Sequence, residues 1–167
     1  LFAYVALPYS FNFLWAPFAD HLRVPFLSAW LGQRRGWMLT AQVILMGLLA
    51  SVALIDAEQQ PFALALLAVA IGFFSATQDI VIDAFRTEYL DKSQYGEGAA
   101  MAVFGYRLGM LVAGAGALYV ADGYDWGTAY VAMAVCMLVG VFTVLLVKEP
   151  VAAASAESKV DNNMFVA

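Results

Sequence analysis

Apolar residues run along this chain in five long stretches divided by short polar links, at about residues 1–18, 37–55, 62–85, 99–120 and 126–147. A helix needs about 20 mostly apolar residues to cross the hydrocarbon core of a bilayer. Inside that core only helices and closed barrels can satisfy their own backbone. The pattern therefore predicts an all-α membrane protein of about five transmembrane helices. The first stretch carries Pro8 and Pro17 and ends at Asp20, which suggests a kinked or incomplete span. Lys148, Glu149 and Pro150 stop the last one, so the helical bundle is expected over residues 1–150. Residues 151–167, rich in Ala and Ser with scattered charges, offer little to bury and are expected to form a flexible cytoplasmic tail.

Composition sharpens this picture. Hydrophobic residues make up 63% of the chain and charged ones 13%, which marks lipid as its solvent. The net charge of −5 comes without any basic stripe, so a nucleic-acid partner is not expected and membrane lipid is. Cys136 is the single cysteine and His21 the single histidine, and neither has the neighbours a disulfide or a metal site needs. No phosphate-cradling glycine loop is present, and paired carboxylates alone do not set the separation a glycosidase requires. Neither an enzyme nor a cofactor is expected. The chain opens on Leu1 inside an apolar stretch, without the basic start of a signal peptide, and reads as continuing upstream.

Basic residues collect in cytoplasmic links close to membrane ends. Here they fall in alternate links, first Arg23, Arg34 and Arg35, then Arg86 and Lys92, then Lys148. The links between them, around Asp56 to Pro61 and Asp122 to Asp125, carry acids and no Lys or Arg. This alternation predicts the amino end outside and the carboxyl end in the cytoplasm.

Several polar groups stand where lipid should be. The third stretch holds Gln78, Asp79 and Asp83, with Arg86 at its end. Asp79 and Asp83 are four residues apart and so share a helix face, with Arg86 close to it. A charge at the bilayer centre costs about 2.5–3.5 kcal/mol, and such groups turn toward a bundle interior or a wet cavity. Asp83 and Arg86 are near enough to the interface to reach water by snorkelling, whereas Asp79 lies about 10 Å deeper than Arg86. Tyr106 and Arg107 interrupt the fourth stretch at comparable depth. Arg107 is therefore expected to pair with Asp79, or with Asp83, across neighbouring antiparallel helices, either as working groups or as a static pair that fixes register. Gly105, Gly109, Ala113, Gly114 and Gly116 on the same stretch suit close helix packing or a moving interface.

Four strings then carry a resemblance: Asn12-Phe13-Leu14-Trp15-Ala16-Pro17 with Asp20, Gly32-Gln33-Arg34-Arg35-Gly36-Trp37, Ser75-Ala76-Thr77-Gln78-Asp79-Ile80-Val81-Ile82-Asp83-Ala84 and Gly105-Tyr106-Arg107-Leu108-Gly109-Met110-Leu111-Val112. In order and spacing the chain resembles the AmpG muropeptide permeases of the major facilitator superfamily, from its first span to about Pro150. The resemblance implies a partial amino-terminal bundle, the second to sixth helices of a carrier with two six-helix halves. It implies proton-coupled import of anhydromuropeptides across the bacterial inner membrane, as part of cell-wall recycling. Asp79 becomes the expected proton site and Arg107 its charge partner, with Gln78, Tyr106 and Asp83 in the same pathway. Asp20, Arg34, Arg35 and Arg86 fall to a gating loop at the cytoplasmic ends. A second six-helix bundle, in the same or another chain, is then required for transport. Two other readings stay open: a carrier of another bulky anionic solute such as acetyl-coenzyme A, whose transporters share a similar Gln-Asp segment, and a membrane scaffold derived from a transporter half.

Overall fold

A computed structural model describes residues 30–56 and 58–148, and every regular element among them is helical. Helix α1 (Gln33–Val52) follows Gly32, whose φ of 90° lies in the left-handed region that a side chain disfavours. Helix α2 (Pro61–Tyr89) opens on proline, whose fixed φ suits a first turn and whose missing N–H would have had no partner there. A 3-10 turn (Lys92–Gln94) leads into α3 (Tyr95–Leu111), a π-helical turn (Val112–Gly116) and α4 (Ala117–Gly123), which together form one continuous rod. Helices α5 (Trp126–Cys136) and α6 (Leu138–Leu146) form another, interrupted at Met137.

Four segments among the described residues are long and apolar enough to cross a membrane: Gln33–Val52, Pro61–Tyr89, Lys92–Gly123 and Trp126–Leu146. The expected helical membrane class holds. The expected first span, about 1–18, and the expected tail, 151–167, lie outside the described residues, as do Asp20, His21 and Arg23. Two ends differ from the hydropathy reading. Helix α2 continues to Tyr89, past the expected end near 85, and the span expected from about 99 begins at Lys92. Hydropathy marks where lipid ends, whereas the hydrogen-bond ladder runs on through polar residues until something breaks it. Here the break is the extended backbone at Leu90 and Asp91, followed by a reciprocal cap between Asp91 and Gln94. Tyr95 pins this corner by donating its hydroxyl to the Thr87 carbonyl at 3.1 Å.

Helix α1 is the hub: it packs along α2 and against α5 and α6, while α4 leans on α5. Buried small residues line these seams, Gly36 and Ala41 on α1, Gly72 and Ala76 on α2, Ala129 and Ala134 on α5. Between membrane helices, which gain nothing from leaving water, such residues permit the close backbone approach that dispersion needs. Met38, Val81 and Val144 close the core at one end, flanked by Trp37, Leu39 and Phe85. At the opposite end Gly127 comes close to α1, and a Cβ placed there would stand 3.2 Å from the Ala53 carbonyl oxygen. Asp125 caps α5, accepting from the Thr128 N–H and hydroxyl at 2.8 Å each, and these bonds hold its carboxyl below the ordinary carboxylate range. Helix α3 has no buried residue along its length.

Candidate functional site

The basic residues at the start of α1 do the most visible work. Arg34 reaches the far end of α2 and grips Glu88 with two nitrogens, Nη2 to Oε1 at 2.7 Å and Nε to Oε2 at 3.3 Å. This two-pronged geometry uses the planar fork of guanidinium, which lysine lacks. Arg35 turns the other way and donates Nε to the Val144 carbonyl and Nη2 to the Leu145 carbonyl, both at 2.9 Å. The last carbonyls of a helix have no partner within it and carry its negative dipole end, so a guanidinium there satisfies both needs. Two successive arginines thus tie the start of α1 to the ends of α2 and α6. Glu88 was not among the residues singled out from sequence, because the apolar stretch ends at Phe85. The usable signal was the absence of Gly or Pro between Phe85 and Leu90, which lets the helix continue.

Arg86 binds Asp83 on its own helix, Nη2 to Oδ1 at 3.0 Å, one turn apart. Asp79 and Asp83 are both exposed on α2, away from the seam with α1 that buries Gly72, Ala76, Thr77 and Val81. Gln78 is half-buried, and its Oε1 is buried without a hydrogen-bond partner. Tyr106 and Arg107 are exposed on α3 and line an open groove of about 700 Å³ with Val103, Met110, Leu111 and Ala115.

The expected ion pair between Arg107 and Asp79 or Asp83 does not form. Asp83 takes Arg86 instead. Asp79 and Arg107 do lie at similar depth, Asp79 about 15 Å from the end of α2 and Arg107 about 18 Å from the start of α3 at 1.5 Å per residue. Depth says nothing of lateral position. Helix α2 spends its packing face on α1, and α3 makes its main contacts with the turns at its own ends. Asp20 falls outside the described residues.

The arrangement separates two kinds of chemistry. At one end, arginines with satisfied partners fasten three helix ends together. Along the open faces of α2 and α3, Asp79 offers a carboxylate able to take up a proton and Arg107 a cation able to hold an anion, and neither is committed to an ion pair with the other. A separate crevice of about 780 Å³ between the rod of α3 and α4 and that of α5 and α6 is walled by apolar groups such as Leu108, Ala113, Met133 and Met137 and contains none of these charges.

A family profile described as Major Facilitator Superfamily matches residues 1–165. An uncharacterized protein of Haemophilus influenzae is 44% identical over 147 residues, covering 87% of this chain and 34% of its own length. The anhydromuropeptide permease of Escherichia coli K12 is 42% identical over 150 residues, covering 89% of this chain and 30% of its own length. The chain thus spans about a third of the length of these curated relatives.

Proposed function

Because this chain belongs to the Major Facilitator Superfamily, we propose that it forms part of a proton-coupled carrier importing anhydromuropeptides across a bacterial inner membrane. The observation that carries this reading is the 42% identity to the Escherichia coli anhydromuropeptide permease across 89% of the chain. The remaining helices of the carrier, a second bundle included, come from the same or another chain. Transport would then proceed by rocking of two bundles about a site near the bilayer midplane.

Within that scheme Asp79 is the proton-accepting group. Its exposed position on a membrane-spanning helix supports this, since a carboxylate there is costly against lipid and is retained where a wet cavity or substrate covers it. Arg107, with Tyr106 beside it, holds the anionic groups of the substrate. Gln78 and Asp83 complete the polar lining. Arg34, Arg35 and Arg86 belong to the cytoplasmic end, where Arg34 and Arg35 hold helix ends in register during the rocking motion and Arg86 pairs with Asp83 on its own helix; Asp20 is assigned to the same end from sequence.

The test uses this chain joined to the remaining segments of a relative and assayed in inverted or reconstituted vesicles. Anhydromuropeptide uptake should follow an imposed proton gradient, with acetyl-coenzyme A as a poor competitor. Asp79→Asn should lower uptake by about tenfold or more while leaving membrane abundance unchanged. Full gradient-driven uptake by Asp79→Asn would remove the proton assignment. Preferential binding of acetyl-coenzyme A by the folded carrier would remove the substrate assignment.

A further inference from the structure

Among the described residues, α3 is held chiefly at its two ends. Residues 99–111 are all exposed, and the main contacts of the helix are with the 3-10 turn before it and the π-helical turn after it. Beyond the π turn the same rod is firmly seated, because α4 packs along α5, which packs on α1. At the other end the connection is thin. Extended backbone at Leu90 and Asp91 leads in from α2, and the Tyr95 hydroxyl bridges the corner to the Thr87 carbonyl.

The π turn consists of Val112, Ala113, Gly114, Ala115 and Gly116. Its hydrogen bonds span five residues instead of four, and single turns of this kind are a known origin of sharp helix kinks. Glycine is the residue least at home in a helix after proline. A Cβ at Gly114 would meet nothing within 4 Å, and one at Gly116 only Val112 Cγ1 at 3.9 Å, so close packing within the described fold requires neither glycine. Gly114 lies about 15 Å from the link at Tyr124 at 1.5 Å per residue. That is half of a hydrocarbon core of about 30 Å, so the turn sits near the bilayer midplane.

The crevice of about 780 Å³ provides room for movement on the side of α3 that carries Leu108, Gly109 and Val112, facing Met133 and Met137. At 3.6 residues per turn, Tyr106, Arg107 and Met110 fall on the opposite side, along the other groove. We infer that α3 swings about the π turn into this crevice, drawing the face that bears Tyr106 and Arg107 toward α5 and α6. The Tyr95 bond to Thr87 is the latch that holds the open position. No buried contact of α3 has to break, and an apolar face that exchanges lipid for protein inside a membrane gains or loses little. The movement is independent of which solute is carried; only its consequence for solute binding rests on the assignment of Arg107 above.

The test places spin labels at the exposed Phe104 of α3 and Phe142 of α6, with Cys136 changed to Ser, and measures their separation by double electron–electron resonance on the full chain in lipid nanodiscs. Phe104 lies about 15 Å from Gly114, so a kink of about 20° moves it by about 5 Å. Two separations differing by up to about 5 Å should appear, while labels at Tyr119 of α4 and Phe142 keep a single one. Tyr95→Phe removes the latch and should raise the share of the shorter separation by about threefold or more. Gly114→Ala with Gly116→Ala favours the straight helix and should lower that share by about fivefold or more. One separation between 104 and 142 in both the wild-type protein and Tyr95→Phe overturns the proposal, as does a second separation between 119 and 142, which would mean that the whole rod moves. An unchanged share in the folded double-alanine variant removes the hinge from the π turn; if that variant does not fold, the wild-type and Tyr95→Phe measurements decide.

Discussion

Arg34 and Glu88 offer a quantitative test of the clamp at the basic end. Their side chains are 13% and 26% exposed, so the pair stands between the surface case and the buried one. Surface pairs contribute about 1 kcal/mol or less, whereas breaking a fully buried pair costs about 3–5 kcal/mol. Glu88→Gln keeps the shape and removes the charge, leaving Arg34 against a neutral amide, and should destabilise the protein by about 1.5–2.5 kcal/mol. Arg34→Met keeps much of the stem and removes the fork, with a similar loss. The double variant should lose less than the sum, with a coupling energy of about 1–2 kcal/mol. Reversible unfolding in mixed micelles, followed by helical circular dichroism, measures all four corners of the cycle. Raising the salt to about 1 M should shrink the coupling only partly, because a partly buried pair is screened less than an exposed one. A coupling below about 0.3 kcal/mol, within the ordinary error of additivity, would mean that the two side chains meet without holding the helix ends together.

Three further outcomes follow from the same geometry. Arg35→Lys removes the planar fork that meets the Val144 and Leu145 carbonyls with two separate nitrogens and should lower stability by about 1 kcal/mol, with increased amide exchange at the end of α6 as its local signature. Gly127→Ala sets a methyl against the Ala53 carbonyl and should cost about 1–3 kcal/mol in thermal unfolding, whereas Gly123→Ala, which meets nothing, should cost little. Asp125 has its folded carboxyl pKa depressed below the ordinary 3.8, so its contribution is complete above that value and is lost as pH falls through the lower folded value. An acid titration of stability should therefore show a component in that window that is absent from Asp125→Ala.

Much of the architecture was legible because lipid imposes a coarse code. Twenty apolar residues and a polar link mark a span whatever the packing, so the four described spans were visible in residue order alone. The ends were less so. Glu88 falls past the apolar stretch that ends near Phe85, although a helix emerging into the interface gains from charges such as those of Asp83, Arg86 and Glu88. Arg34 and Arg35 were recognisable as end-fastening groups, but not that one would take a carboxylate and its neighbour two carbonyls. That choice depends on which helix ends surround α1. The polar faces of α2 and α3 could be placed in depth by counting residues. Whether Asp79 and Arg107 approach each other depended on lateral packing, and nothing in the spacing of either helix specifies its neighbour.

The grip of Arg35 on Val144 and Leu145 joins positions more than a hundred residues apart and closes the described chain into a ring. Together with the grip of Arg34 on Glu88, it gives three of the four rods a shared anchor plate. Any tilt of one of these rods is transmitted to the other two, while the rod bearing Tyr106 and Arg107 is coupled chiefly through its α4 end. Distances between spin labels near residues 33, 87 and 147 should thus stay constant across functional states. A label near 103 is the one expected to travel.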